Sequence, residues 1–454
     1  MKCTLHNLGC KVNSYETEAM RQLLEAAGYE IVEFGSETAD VYIINTCTVT
    51  NIADRKSRQM LHKAKKDNPN AVVVAAGCYV QEAGEKLLAD EAVDIIVGNN
   101  RKGQIVEVLE EYFKGRNIDN SFIDINKTRE YENLEINASL AHTRAYIKIQ
   151  DGCNQFCTYC IIPFARGRVR SRKIEDIIDE VRKLAESGCH EIVVTGIHLS
   201  SYGLDFDNTE YNAQPVPNAE RLLQVLEAIA AVDGIDRIRL GSLEPRIITD
   251  TFLERLSAIP QICPHFHLSL QSGCDETLKR MNRRYDTEEF REGVEKIRRY
   301  FDKPAITTDV IVGFPGETNE EFAITRKYLE EINFFEMHVF KYSRRKGTIA
   351  DRMENQIADS VKSERSDALI ELDEELSRAY RESFAGSAEV VLVEEYVECD
   401  GIKYAVGHTK RYVKVYISLD CAQEQDIKIN AEIPVIITGI FGKDSVISKV
   451  AIAN

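Results

Sequence analysis

No run of apolar residues in this 454-residue chain approaches the roughly 18 that a membrane span requires. The N-terminus, Met1-Lys-Cys-Thr-Leu-His6, also lacks the apolar stretch of an export signal. Both absences predict a cytoplasmic protein with no membrane partner. Positive charge is in deficit: 57 Lys and Arg face 74 Asp and Glu, for a net charge of −17. That balance argues against DNA and against any nucleic acid held by bulk charge, because phosphate binding relies on Lys and Arg. What remains is an ordinary globular composition, 44% hydrophobic and 29% charged, long enough for about two to four domains. Twelve cysteines without an export signal belong in a reducing compartment, where they bind metal rather than form disulfides.

Six of those cysteines form two sets of three. Cys153, Cys157 and Cys160 lie within Asp151-Gly-Cys-Asn-Gln-Phe-Cys-Thr-Tyr-Cys-Ile-Ile-Pro163, at spacing C-x3-C-x2-C, and a fourth is missing nearby. Structural zinc is closed by four protein ligands, whereas a 4Fe–4S cluster held by three thiolates keeps one iron open. An open iron can chelate S-adenosylmethionine and start radical chemistry that side chains cannot perform. A zinc site with a distant fourth ligand, or three unrelated buried cysteines, would give the same spacing. Cys10, Cys47 and Cys78 form the looser set. Each follows a predicted strand by one to three residues. Ligands of open parallel sheets bind beyond the carboxyl ends of strands, so these three should meet along one edge. Taken singly, each also fits as a small buried hydrophobe, the role assigned to Cys3 within the first strand.

Apolar runs and helical periodicity divide the chain as follows. Residues 1–112 alternate strands (2–8, 39–45, 71–76, 93–97) with helices (15–27, 54–66), which implies an open parallel α/β sheet. Residues 113–142 are polar and weakly patterned, a linker. Over 143–355 the alternation lengthens into six strand–helix units, the signature of a partial (βα)6 barrel. Its strands fall at 145–150, 191–195, 237–240, 265–270, 305–312 and 336–341. Its helices fall at 174–187, 219–231, 250–257, 275–281, 287–300 and 319–332, with a surface insertion over 205–218. A charged helical connector, 356–386, leads to short strands at 388–394, 412–417 and 432–440. These suit a small β-barrel over 387–454, either an RNA-contacting module or a structural appendage.

Positive charge is locally concentrated despite the overall deficit. Arg55, Lys56, Arg58, His62, Lys63, Lys65 and Lys66 crowd one helix. Arg166, Arg168, Arg170, Arg172 and Lys173 follow the tight cysteine set. Lys410, Arg411 and Lys414 interleave with Tyr412 and Tyr416. Each patch alone fits a solvated face; together they point to an anionic substrate.

Taken together, Leu8-Gly-Cys-Lys-Val-Asn-Ser-Tyr-Glu-Thr-Glu18 and Gly152-Cys-Asn-Gln-Phe-Cys-Thr-Tyr-Cys-Ile-Ile-Pro-Phe-Ala-Arg-Gly167 resemble the radical S-adenosylmethionine methylthiotransferases, end to end. Within that family they are similar to the branch acting on threonylcarbamoyladenosine beside the tRNA anticodon. The isopentenyladenosine branch carries Gly-Cys-Gln-Met-Asn at the first site. The resemblance implies two 4Fe–4S clusters, S-adenosylmethionine, and a C-terminal TRAM-like barrel that contacts tRNA at its anticodon loop. It also implies an electron donor such as flavodoxin or ferredoxin. The radical cluster would sit on Cys153, Cys157 and Cys160, and the sulfur-carrying cluster on Cys10, Cys47 and Cys78.

Further cofactor contacts are expected at Tyr159, near the adenine, and at the strand-end groups Thr195, Gly196, Ser242, Glu244, Gln271 and Ser272. Gly313 either opens the backbone to adenine or makes a tight turn. Lys410, Arg411, Tyr412 and Lys414 are expected to grip RNA. Two rival readings keep part of this pattern: a ribosomal-protein aspartate as the target, or a non-catalytic iron–sulfur carrier with fully ligated clusters.

Overall fold

The computed structural model describes residues 1–116, 123–137, 143–206, 219–419 and 427–451. The insertion expected over 205–218 falls, beyond Phe206, outside the described residues, as do Cys421 and parts of the linker. Among the described residues no helix is long and apolar enough to cross a membrane.

The first five strands form one parallel sheet, in the order Glu30–Ile31, Lys2–Asn7, Val41–Thr46, Val72–Gly77, Ile95–Val97. Side chains alternate across a strand, so each run feeds two cores. Tyr42, Ile44, Val73 and Ala75 pack with Leu61, Ala64 and Tyr79 on one face. Cys3, Val41, Ile43 and Val74 pack with Met20, Leu24 and Leu109 on the other. Burial on both faces explains why these strands read as continuous apolar runs.

The helix after the first strand begins at Lys11, four residues earlier than its apolar period suggests, and runs to Ala26. It packs against the central domain as well as its own sheet: Tyr15 lies in the central core beside Ile147, Ile149 and Ile177. The segment 123–137, expected as a linker, is a packed strap. Ile125, Leu134 and Ile136 are buried, and Tyr131 donates to the Lys148 carbonyl at 2.6 Å.

Centrally, Arg144–Asp151, Glu191–Gly196 and Arg237–Leu240 run parallel in one sheet, and His265–His267, Ala305–Val312 and Glu336–Lys341 in a second. Isolated bridges, Ile238 to Ile262 and Leu243 to Leu268, join the two into an open, six-stranded partial barrel. Helices Thr287–Tyr300 and Asn319–Ile332 each start in a capping box, Asp286 with Glu289 and Thr318 with Glu321. Helix Asp359–Glu382 covers the last strand: Asp373 accepts from the Met337 N–H at 2.6 Å, and Arg381 pairs with Glu336 at 2.6 Å. An otherwise open strand is thereby shielded.

Five strands close the C-terminal barrel, including Ile402–Thr409 and Ser445–Val450, which the apolar pattern missed. It docks on the end of the central barrel where the strands begin. Arg237 donates to the His408 and Val390 carbonyls and pairs with Glu432 at 2.6 Å. Asn430 donates to the Gly188 carbonyl at 2.6 Å.

Candidate active site

Cys10, Cys47 and Cys78 sit just beyond the ends of three adjacent strands, Lys2–Asn7, Val41–Thr46 and Val72–Gly77. Gly9 makes their approach possible. It holds φ +120°, and a Cβ there would lie 3.0 Å from the Cys47 Cβ. Cys10 caps the helix Lys11–Ala26, Cys78 opens a short helix, and Thr50, three residues past Cys47, caps Asn51–Asp67. Helix N-termini favour thiolates. Burial, with the Cys78 and Cys10 sulfurs alongside, pushes the Cys47 thiol up to about 12. Cys10 is also raised, by burial first, although solvent-sized space reaches it.

The arginines after the tight set do not form an exposed patch. Arg166, Arg170 and Arg172 are fully buried. Arg172 pairs with Glu180. Arg166 donates from Nε to Cys78 Sγ at 3.1 Å, to Glu16 at 2.5 Å, to Asp151 at 3.3 Å and to Asn13 at 2.6 Å. Lys148 reaches Glu16 at 2.9 Å and Asp151 at 3.2 Å, Lys102 pairs with Glu16, and Arg170 lies 3.7 Å from Asp151. Burial alone would raise both carboxyls. Arg166, Lys102 and Lys148 instead hold Glu16 well below the usual range, and Lys148, Arg166 and Arg170 bring Asp151 down to about 2. Four cations thus meet two carboxylates. Even with Glu132 at the edge of the network, positive charge is in surplus beside Cys78. A buried cationic surplus next to three converging sulfurs fits an anionic thiolate cluster.

The loop after Arg144–Asp151 carries Cys153, Cys157 and Cys160. Burial, then the neighbouring sulfurs, raises the Cys153 thiol above its ordinary value and Cys160 up to about 12. Three thiols that repel one another when ionised suit a shared metal centre. Two groups with no sequence signal support the loop. Arg283 donates to Cys157 Sγ at 3.2 Å, and Gln155 donates to Glu244 at 2.8 Å. Glu244, expected at the open mouth, is buried among Gln155, His198 at 3.2 Å and Arg246. Burial would raise it, but His198 and Arg246 bring it to about 2. It is a carboxylate that positions the loop.

Cys160 of the tight set lines a cavity of about 290 Å³ with Tyr159, Gln271, Asp309, Ile311, Phe340 and Tyr342 from the central domain. Val49 and Thr50, from the Cys47 loop, line it too. Arg345, buried, clamps the two domains there, donating to Asp54 at 2.6 Å, Asn51 at 2.8 Å and Thr48 at 2.8 Å. Tyr159 and Gln271 both line that cavity. Thr195 is buried and Gly196 half-buried at the end of their strand, with Gln150 closely packed on Gly196. Ser242 is exposed. Ser272 is a correction. It is buried, its hydroxyl 3.3 Å from that of Thr325 on the helix Asn319–Ile332, where the chain turns after Gln271 at φ +74°. Gly313 holds φ +70°, and a Cβ there would meet Lys362 Cγ at 2.3 Å, so the bare position admits the covering helix.

The expected RNA grip is also redistributed. Arg411 donates to the Asp302 carbonyl at 3.0 Å and pairs with Glu389 at 3.0 Å. Tyr412 lies under Arg239 at 4.6 Å and Arg144 at 5.1 Å, stacked on His408 at 4.6 Å. Lys410 donates to the Pro260 carbonyl at 3.0 Å. These residues join domains. Lys414 lies 5.4 Å from the Tyr416 ring, beside Tyr404 and Phe441. Arg55, Lys56 and Lys66 are exposed on the helix next to the cavity.

Comparison with known proteins adds the following. Residues 147–329 match the radical SAM superfamily, and residues 2–98 match an uncharacterised protein family, UPF0004. The threonylcarbamoyladenosine tRNA methylthiotransferase MtaB of Bacillus subtilis (strain 168) is 43% identical over 411 residues, 90% of this chain and 89% of the relative. The tRNA-2-methylthio-N(6)-dimethylallyladenosine synthase of Aquifex aeolicus (strain VF5) is 36% identical over 402 residues, 87% of this chain and 88% of the relative. Among solved structures, the radical S-adenosylmethionine methyltransferase TsrM from Kitasatospora setae superposes with a TM-score of 0.55 at 15% identity, covering 77% of this chain and 73% of that one. That likeness speaks for the fold alone.

Proposed function

This chain belongs to the radical S-adenosylmethionine tRNA methylthiotransferases, and on that footing we propose that it methylthiolates C2 of N6-threonylcarbamoyladenosine, 3′-adjacent to the anticodon, in the cytoplasm. The observation that carries this choice of base is the greater likeness to MtaB, 43% identity against 36% for the dimethylallyladenosine synthase. Cys153, Cys157 and Cys160 would hold one 4Fe–4S cluster with S-adenosylmethionine, and Cys10, Cys47 and Cys78 a second. When bound, these groups supply a carbon radical able to take hydrogen from an unactivated aromatic C–H, together with a sulfur donor and a methyl donor.

The chain's own residues do the rest. Arg283 and Arg166 place fixed positive charge against one sulfur of each set. Glu244 holds Gln155, and so the tight loop, in one conformation. Tyr159 and Gln271 line the cavity. Thr195, Gly196 and Ser242 stand at the strand ends where a ribose or an amino acid group would be met. Arg345 keeps the two domains closed over the target base, excluding water. A small one-electron donor such as flavodoxin or ferredoxin completes the reaction.

Anaerobic reconstitution with threonylcarbamoyl-modified and isopentenyl-modified tRNA side by side tests the reading. Mass spectrometry should detect the methylthio product from the first only. Turnover of the second alone would reassign the substrate.

For RNA binding we assign phosphate contacts to Arg55 and Lys56, and stacking to Tyr416 beside Lys414. Arg55→Ala with Lys56→Ala should reduce the salt slope of tRNA binding by about 1.5. Arg411→Ala should leave that slope unchanged and lower the melting temperature instead, since it loosens the joint to Glu389 and Asp302.

A further inference from the structure

Strands Ala305–Val312 and Glu336–Lys341 place Asp309 directly opposite His338, and Ile311 opposite Phe340. On the other side Thr307 stands opposite His267, the last residue of its strand. Side chains two apart on a strand share a face. Asp309 and Ile311 therefore share one with His338 and Phe340, and Asp309, Ile311 and Phe340 all line the cavity that Cys160 borders. His267 joins them there. Its Nε2 lies 3.4 Å from Asp309 Oδ2, and its ring stacks on that of His338 with centroids 5.8 Å apart.

The ligand atoms of His267, Asp309 and His338 all lie within 4.8 Å of one another, and among the described residues no other three His, Cys, Asp or Glu side chains converge so closely. Donors to one first-row ion, each about 2.0–2.2 Å from it, stand at most about 4.4 Å apart. The His267–Asp309 separation already meets that limit, and His338 is exposed and free to adjust. The other ring nitrogen of His267, Nδ1, is 2.9 Å from the Thr307 hydroxyl. That contact fixes the ring and leaves Nε2 turned to Asp309, as in metal-binding histidines. When Nδ1 donates to Thr307, the Nε2 lone pair and the Asp309 carboxylate are two acceptors face to face, which a cation between them satisfies. A proton bridges that pair equally well but gives His338 nothing to do. Other pairs of this kind, His62 with Asp90 at 3.1 Å and His190 with Asp236 at 2.7 Å, stop at two donors.

Two imidazoles and one carboxylate suit a transition ion better than Mg²⁺ or Ca²⁺, which take oxygen donors. Three protein ligands also leave positions for exchangeable oxygen donors, as in catalytic rather than structural metal sites. The cavity beside Asp309 has room for them. We propose that His267, Asp309 and His338 bind a divalent first-row transition ion on the inner wall of the central barrel. It shares no ligand with either cysteine set, and its remaining positions open to the cavity. The site does not depend on which adenosine is modified.

Anaerobically reconstituted protein, washed with a chelator once its clusters are built, is titrated with Mn²⁺ and separately with Co²⁺. Excess Mg²⁺ is present throughout, to occupy all-oxygen sites on the acidic surface. Free Mn²⁺ is read from its electron paramagnetic resonance signal, and bound Co²⁺ by metal analysis after equilibrium dialysis. The parent should take up a single ion per chain, Co²⁺ more tightly than Mn²⁺. His338→Ala and Asp309→Asn should each weaken uptake by about tenfold or more. Iron content should not change in either, and His338→Ala should unfold at the parent's temperature, because that side chain is exposed. His62→Ala should bind as the parent does. No uptake by the parent would overturn the site, as would undiminished uptake by either His338→Ala or Asp309→Asn. So would a fall in iron matching the Co²⁺ bound, which would put the added ion in the clusters instead.

Discussion

Protein carrying Cys10→Ala, Cys47→Ala and Cys78→Ala, reconstituted without oxygen, should bind about four irons where the parent binds about eight. It should still cleave S-adenosylmethionine and form no methylthiolated tRNA. The two outcomes separate because the two sulfur sets rest on different elements. The tight set hangs on one loop, fixed by Gln155, Glu244 and Arg283, none of which touches the N-terminal strand ends. The loose set is assembled from three strands and needs none of the three sulfurs of the tight set. Cys153→Ala, Cys157→Ala and Cys160→Ala together should abolish cleavage and product alike. Eight irons in the first variant, or methylthio product from it, would refute a second cluster on those cysteines.

Much of the scaffold was legible because its elements carry local signals. Strands Arg237–Leu240, Ala305–Val312 and Glu336–Lys341, and helices Asp250–Ser257, Thr287–Tyr300 and Asn319–Ile332, lie where the apolar period puts them. Capping boxes mark two of those starts. Where the period is interrupted, the reading failed. Ile402–Thr409 contains Gly407, whose bare position lets the Leu392 carbonyl come within 1.9 Å of where a Cβ would stand. A glycine inside a strand weakens the pattern for a reason that only the neighbouring strand reveals.

The site divides along the same line. Three cysteines at strand ends could be placed on one edge from chain order alone, since a parallel sheet aligns its carboxyl ends. Charge was misread because its meaning depends on partners far away. Arg166 looks like part of a basic run, yet Glu16 lies 150 residues earlier. Tyr412 looks like a base-stacking aromatic, yet Arg144, 268 residues away, lies over it. Ser272 follows Gln271, which holds φ +74° beyond the strand His265–His267, so strand alternation could not place it. Arg283 carries no periodic or compositional signal for its contact with Cys157, and only the fold identifies it.

Arg166→Ala should be among the most damaging single substitutions in the chain. Its guanidinium is wholly buried and bridges both domains: Glu16 and Asn13 belong to the N-terminal helix, Asp151 to the central barrel, and Cys78 to the loose sulfur set. Removal strips Glu16, Asp151 and Asn13 of their hydrogen bonds to the guanidinium inside a buried network, with Lys102, Lys148 and Arg170 still in place, at a cost of about 3 kcal/mol. It also removes the positive charge nearest Cys78, so any anionic cluster there loses its closest counter-charge. Thermal unfolding should shift markedly downward, and iron retained after desalting should fall towards half. Lys56→Ala, exposed on Asn51–Asp67, should do neither. Arg166→Lys discriminates further. Its single ammonium can pair with Glu16 but cannot also reach Asn13, Asp151 and Cys78 in one plane, so stability should recover in part while iron retention stays low. Full recovery of both would mean that charge alone matters there, and that the fork-shaped contact to Cys78 is incidental.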